Sequence, residues 1–189
     1  CLPRNLNKNR YNFDTTYPMF VSLSLNEFVE QYINDKTSLD GLSKKVCVDT
    51  ANGNTGALHD AIRQAKKIHG DKLVIMAGNV ASVEAFVELA KTGVDYIRVG
   101  IGGGAGCNTT SNTGVGQVDL EELINSCHSI IEITKHGSQQ ELKYGSTYLA
   151  YGYLKGTPDE FKTISKVKIV ADGISSHIKQ CESKYGFND

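Results

Sequence analysis

Short apolar runs alternate with single amphipathic stretches along most of this chain, and no other feature constrains its fold as strongly. "MFVSLSL" (Met19–Leu25) has the composition of a strand, and "NEFVEQYIND" after it puts Phe28, Val29 and Tyr32 on one helical face. "KKVCVDT" is the next strand, centred on Val46–Asp49. "TGALHDAIRQAKKIHG" then carries Leu58, Ile62, Ala65 and Ile68 at helical spacing and stops at Gly70, where a left-handed residue can end a helix. A strand over Leu73–Gly78 leads into "SVEAFVELAKTG", a helix opened by Ser82 and closed by Gly93. Further strands are expected at Tyr96–Gly100 and Val167–Ala171, with "DLEELINSCHSIIEI" helical between them. Strands joined through single amphipathic helices pair in parallel, so the fold class is α/β, either an open doubly wound sheet or a β/α barrel. With 189 residues, 40% of them hydrophobic, the chain is expected to form one domain over residues 1–189.

Composition removes several functions. Twenty basic residues against 21 acidic ones leave a formal charge of −1, which gives no electrostatic basis for nucleic-acid or membrane-surface partners. The longest apolar runs are far too short to span a bilayer, and "CLPRNLNKNR" has no signal-peptide core, so a cytoplasmic location is the default expectation. Five cysteines lie scattered with no C-x-x-C pair, which suggests neither a disulfide framework nor a zinc site.

In a parallel β/α architecture the chemistry lies where strands end and helices begin, because helix amides point there. Four such loops are small and polar: "DTANGNTG" (Asp49–Gly56), "AGNVAS" (Ala77–Ser82), "GIGGGAGCNTT" (Gly100–Thr110) and "ADGISS" (Ala171–Ser176). Gly102, Gly103, Gly104 and Gly106 suit a phosphate cradle, and a flexible connection is the plain alternative. Cys107 favours chemistry, because an amide-rich turn stabilises a thiolate, whereas Cys47 and Cys127 fall in strand and helix patterns and read as packing residues. Asp49 and Asp172 have helix caps as their plain reading, and Thr109 a turn hydroxyl. His59, His69 and His136 read as solvated surface residues, without metal-like spacing. Lys135–Thr157, rich in Gly, Ser and Tyr, reads as an irregular insertion.

The ordered set "VDTANG", "AGNVAS", "IRVGIGGGAGCNTT" with "TGVG", and "KIVADG" resembles the IMP dehydrogenase and GMP reductase family, clearest over Val46–Gly116 and again at Lys168–Gly173. The resemblance implies a (β/α)8 TIM-type barrel. It implies that Cys107 attacks C2 of the purine of GMP or IMP, with Thr109 near the leaving or attacking group. It also assigns Asp172 to the ribose hydroxyls, Gly173 with the Gly104, Ala105 and Gly106 turn to the substrate phosphate region, and Asn79 to the base pocket. Asp49, with Ala51 and Asn52 beside it, would face the ribose of an NADP or NAD cofactor. Carbonyls of Gly102, Gly104 and Cys107 match part of a potassium site in members that bind the ion, and members are commonly homotetramers.

Ala-Asn-Gly after the first aspartate, "IMAGNV" and the spacer "SLDGLSKKV" resemble the reductase branch, implying loss of ammonia from GMP and hydride delivery from NADPH. Oxidation of IMP with NAD is the alternative within the family. Departures are equally specific: Ala105 stands where the family has a phosphate-binding serine, and Ile174 follows Gly173 where it has a second glycine. Five strands against the eight of a closed barrel lead to the expectation of a partial barrel, in a fragment, a chain with omitted segments or a decayed relative. Two readings from other classes stay open: an inactive nucleotide-binding or assembly protein that keeps the loops, and an unrelated barrel enzyme for a sugar or acyl phosphate.

Overall fold

All five apolar runs form strands, and the amphipathic stretches between them form helices. The computed structural model describes residues 19–35, 37–100, 119–136, 154 and 156–172. Their order is β1 (Val21–Leu23), α1 (Leu25–Tyr32), β2 (Lys45–Asp49), α2 (Gly56–His69), β3 (Val74–Val80), α3 (Val83–Ala90), β4 (Tyr96–Val99), α4 (Leu120–His136), α5 (Pro158–Ile164) and β5 (Lys168–Ala171).

Local chemistry sets the helix boundaries. Ser24 and Glu27 form a capping box at α1, and Thr157 and Glu160 form another at α5, where Pro158 also fixes the first turn. Thr55 and Ser82 accept from Leu58 N and Ala85 N at the starts of α2 and α3. Each such cap contributes about 1 kcal/mol. α2 stops at Gly70, whose φ of 58° lies in the left-handed region.

The sheet is entirely parallel, with strands in the order β1-β2-β3-β4-β5. A doubly wound sheet would reverse its strand order partway; sequential order puts every crossover helix on the same face. Burial agrees. Val46, Val48, Ile75, Ala77, Ile97 and Val99 pack with Phe28, Leu58, Ile62, Phe86, Leu89, Ile130 and Ile164 in one core. The alternate strand residues, among them Ser22, Cys47, Met76, Tyr96 and Arg98, stand outside that core on the opposite face. There the rings of Phe20, just before β1, and Tyr96 on β4 meet edge to face with centroids 5.4 Å apart. In a flat sheet β1 and β4 would lie roughly 14 Å apart, three strand spacings, with side chains standing upright. The sheet therefore curves around this face, against which none of the described helices packs, as the wall of a β/α barrel does. Five strands of that wall lie among the described residues.

Two expectations about α2 are overturned. Ile68 is 39% exposed, whereas His69 and His59 are 7% and 8% exposed. The inward stripe runs Leu58, Ile62, Ala65, His69, in steps of four, three and four, which leaves position 68 on the flank. His69 is satisfied in the interior, with Nε2 2.7 Å from the Tyr32 carbonyl oxygen, while the Tyr32 hydroxyl donates to the Ser43 carbonyl at 2.6 Å. The side chain of His136 and most of the expected 135–157 insertion lie outside the described residues, although Leu154 is buried in the core.

Candidate active site at the carboxyl ends of the strands

Asp49 ends β2, and in register it stands opposite Gly78 of β3, which stands opposite Arg98 of β4. Strand alternation turns Arg98 to the face opposite the described helices, since its neighbours Ile97 and Val99 are fully buried in the helix-side core. Its guanidinium donates to Oδ2 of Asp172, immediately after β5, at 2.9 Å and lies 3.7 Å from Oδ1 of Asp49. Gly78 makes that arrangement possible. A Cβ there would lie 2.6 Å from the Arg98 carbonyl oxygen and 2.9 Å from the Arg98 Cβ, and its φ of 146° disfavours any side chain.

β3 then bulges: Gly78 pairs with Arg98, but Val80 pairs with Val99, so Asn79 is the extra residue. The bulge re-aims the Asn79 side chain toward the neighbouring strand ends, where Nδ2 donates to Asp172 Oδ2 at 2.6 Å and to the Gly100 carbonyl at 3.2 Å. The β2–α2 loop is clamped onto the same bulge. Gly53 N donates to the Asn79 carbonyl at 2.9 Å, and a Cβ on Gly53 would fall 2.7 Å from that oxygen, so "ANG" needs its glycine. Asn52 Oδ1 accepts from Asn54 N at 2.9 Å in an Asx turn, leaving Ala51 and Asn52 exposed on the rim.

Burial works against the charge of Arg98, but Asp172, then Cys47 and Asp49, raise its pKa above the usual guanidinium value. Cys47, two residues before Asp49 on the same face, is fully buried; burial pushes its thiol up, opposed by its interaction with Arg98. It is a neutral packing thiol, as expected. So is Cys127, pushed up to about 12 by burial in the helix layer.

Asp49, Asn79 and Asp172, from the ends of three different strands, thus converge at one end of the sheet. Asp49 is not a helix cap; Thr55 does that work for α2, the helix that follows it. Ala51 and Asn52 sit at the rim of the cluster rather than in it. Cys107, Thr109, Gly102, Gly104, Ala105, Gly106 and Gly173 lie outside the described residues. Arg98 is the member that sequence reasoning missed. Its signal was present: a lone charge at an inward position of an otherwise apolar strand. Two carboxylates around one guanidinium leave the cluster with a net negative charge and acceptor oxygens suited to hydroxyl donors. No group of three or more His, Cys, Asp or Glu side chains that would hold a metal occurs among the described residues. No helix there is long and apolar enough to cross a membrane.

The family model of the IMP dehydrogenase / GMP reductase domain matches residues 34–139, more than half of the chain and inclusive of Asp49, Asn79 and Arg98. GMP reductase of Edwardsiella ictaluri (strain 93-146) is 43% identical over 81 residues, which cover 43% of this chain and 23% of that protein. GMP reductase of Buchnera aphidicola subsp. Schizaphis graminum (strain Sg) is 32% identical over 127 residues, covering 60% and 36%. An inosine-5'-monophosphate dehydrogenase of Chlorobaculum parvum (strain DSM 263 / NCIMB 8327) is 41% identical over 80 residues, covering 42% and 16%. The aligned part of this chain therefore spans about a third or less of the length of each of these relatives.

Proposed function

This chain belongs to the IMP dehydrogenase / GMP reductase family, and we propose that the protein converts GMP to IMP and ammonia by way of a covalent adduct on Cys107. The observation that carries this reading is the convergence of Asp49, Asn79 and Asp172 beside Arg98 at the carboxyl ends of β2, β3 and β5. The relatives named GMP reductase support the reductive direction.

In this reading the Cys107 thiolate attacks C2 of the purine. The bond from C2 to the exocyclic nitrogen breaks, and that nitrogen leaves as ammonia after taking up a proton, with the Thr109 hydroxyl beside it. A sulfur–carbon adduct remains, which splits one difficult displacement into two easier steps. The nicotinamide dinucleotide, when bound, supplies the hydride that replaces sulfur at C2, so GMP, NADPH and two protons yield IMP, NADP and ammonium. Asp172 would accept from the substrate ribose, and Gly173 with the Gly104–Gly106 turn would meet the phosphate. Asp49 fits a cofactor ribose: its side chain is 43% exposed and the nearest cation among the described residues, Arg98, stands beyond hydrogen-bond length. Ala51 and Asn52, exposed next to it, leave room for the ring system. Potassium on the carbonyls of Gly102, Gly104 and Cys107, assembly of identical subunits, and a single domain over residues 1–189 belong to the same reading.

Oxidation of IMP with NAD is the second reading, favoured by the similarity to the Chlorobaculum protein. Incubation with GMP and NADPH, followed at the nicotinamide absorbance band, tests the first; IMP with NAD tests the second. The expected result is oxidation of NADPH dependent on GMP, abolished in Cys107→Ala, with GMP slowing alkylation of Cys107 while Cys47 and Cys127 stay unmodified. Full turnover by Cys107→Ala would end the covalent mechanism. Protection of Cys107 without turnover of either pair would leave a nucleotide-binding protein.

A further inference from the structure

Both donors that hold Asp172 converge on the same carboxylate oxygen. Asn79 Nδ2 reaches Oδ2 at 2.6 Å and the Arg98 guanidinium reaches it at 2.9 Å, while no donor among the described residues occupies Oδ1. An ionised carboxylate has about four acceptor positions. Two donors on one oxygen restrict rotation of the group and leave Oδ1 without a donor from the described residues, and the side chain is 23% exposed.

We infer that Arg98 is a positioning residue that, together with Asn79, orients Asp172 to accept from a vicinal diol, and so sets a preference for ribonucleotides over 2′-deoxyribonucleotides. The inference rests on the proposed role of Asp172 as the ribose carboxylate. Arg98 is suited to this by the rigidity of its fork. One terminal nitrogen donates to Asp172 at 2.9 Å, while the other lies 3.7 Å from Asp49, within ionic attraction but beyond hydrogen-bond length, so the fork is anchored at Asp172 and drawn toward Asp49. Gly78 opens the path beneath it, and the bulge that re-aims Asn79 is the very next residue. Lysine at position 98 would keep the charge but lose the fork.

Equilibrium binding of GMP and of 2′-deoxy-GMP to the protein tests this without requiring turnover. The wild type is expected to prefer GMP. Arg98→Lys should reduce that preference roughly tenfold, the size of one charge-assisted hydrogen bond, by weakening GMP and leaving 2′-deoxy-GMP nearly unchanged. Asp172→Asn should reduce it at least as much, and adding Arg98→Lys to Asp172→Asn should reduce it no further, because the two act on one interaction. Should Arg98→Lys fail to fold, Asn79→Ala removes the other donor to the same oxygen and carries the same expectation. An unchanged preference in the folded position-98 variant, equal weakening of both nucleotides, or additive effects in the double variant would overturn the inference. If Asp172→Asn itself leaves the preference intact, the ribose role of Asp172 falls and the inference with it. If Asp172→Asn erases the preference and Arg98→Lys does not, only the role of Arg98 falls.

Discussion

Arg98 on β4 reaches toward Asp49 on β2 across the whole width of β3, and it does so over Gly78, the residue in register between them. The middle strand contributes an empty position to the inner face at the one level where two outer strands must meet. Packing and electrostatics are therefore coupled at a single glycine.

Gly78→Ala should destabilise the protein by about 1–3 kcal/mol, the usual cost of overpacking, because its Cβ would overlap the Arg98 backbone and φ is positive. Urea unfolding of the wild type and the variant measures this. A variant as stable as the wild type would mean that β3 and β4 separate at no cost.

His59 is buried in α2, and its Nε2 has no hydrogen-bond partner among the described residues. His59→Phe keeps a planar ring and removes the unsatisfied nitrogen, so stability should be unchanged or rise by about 1 kcal/mol. A loss larger than that in thermal or urea unfolding would show that the nitrogen has a partner in solution.

Lys66 ties α2 to the start of the sheet, with Nζ 2.6 Å from both Asp95 Oδ2 and the Leu73 carbonyl oxygen, while the same carboxylate oxygen accepts from Ile75 N at 2.8 Å. Lys66→Met retains the aliphatic stem but strands both acceptors at a partly solvated site. The expected cost is about 1–3 kcal/mol, reduced toward the lower end by solvent screening. Lys66→Arg should recover part of it; a neutral Lys66→Met variant would reduce the contact to a surface ion pair.

The Cys127 thiol, held at about 12 against the ordinary 9.0, makes stability depend on alkaline pH. Above the ordinary value the unfolded chain releases this proton and the folded chain keeps it, so folding loses ground as pH rises between the two values. Cys127→Ala lacks that component. Its stability deficit relative to the wild type should shrink from about pH 8 to about pH 10.5, read from urea midpoints at each pH, and a constant deficit would contradict the buried thiol.

The amino-acid order alone determined the features whose causes are local. Apolar runs of strand length, the serine cap at Ser82, and Gly70 at the end of α2 act within a few residues, so reading them required no knowledge of the fold. The polar strand-end loops and the burial of Cys47 and Cys127 followed from the same periodicities. Tertiary structure decided which flank of α2 turns inward, because that depends on what α1 and the sheet present to it; Tyr32, 37 positions away, is what satisfies His69. It also decided the sequential strand order and the curvature that joins Phe20 to Tyr96. Above all it decided the pairing of Arg98 with an aspartate 74 positions later. A charge in a strand announces that it needs a partner, but only the register of three neighbouring strands and one missing side chain determine which carboxylate it finds.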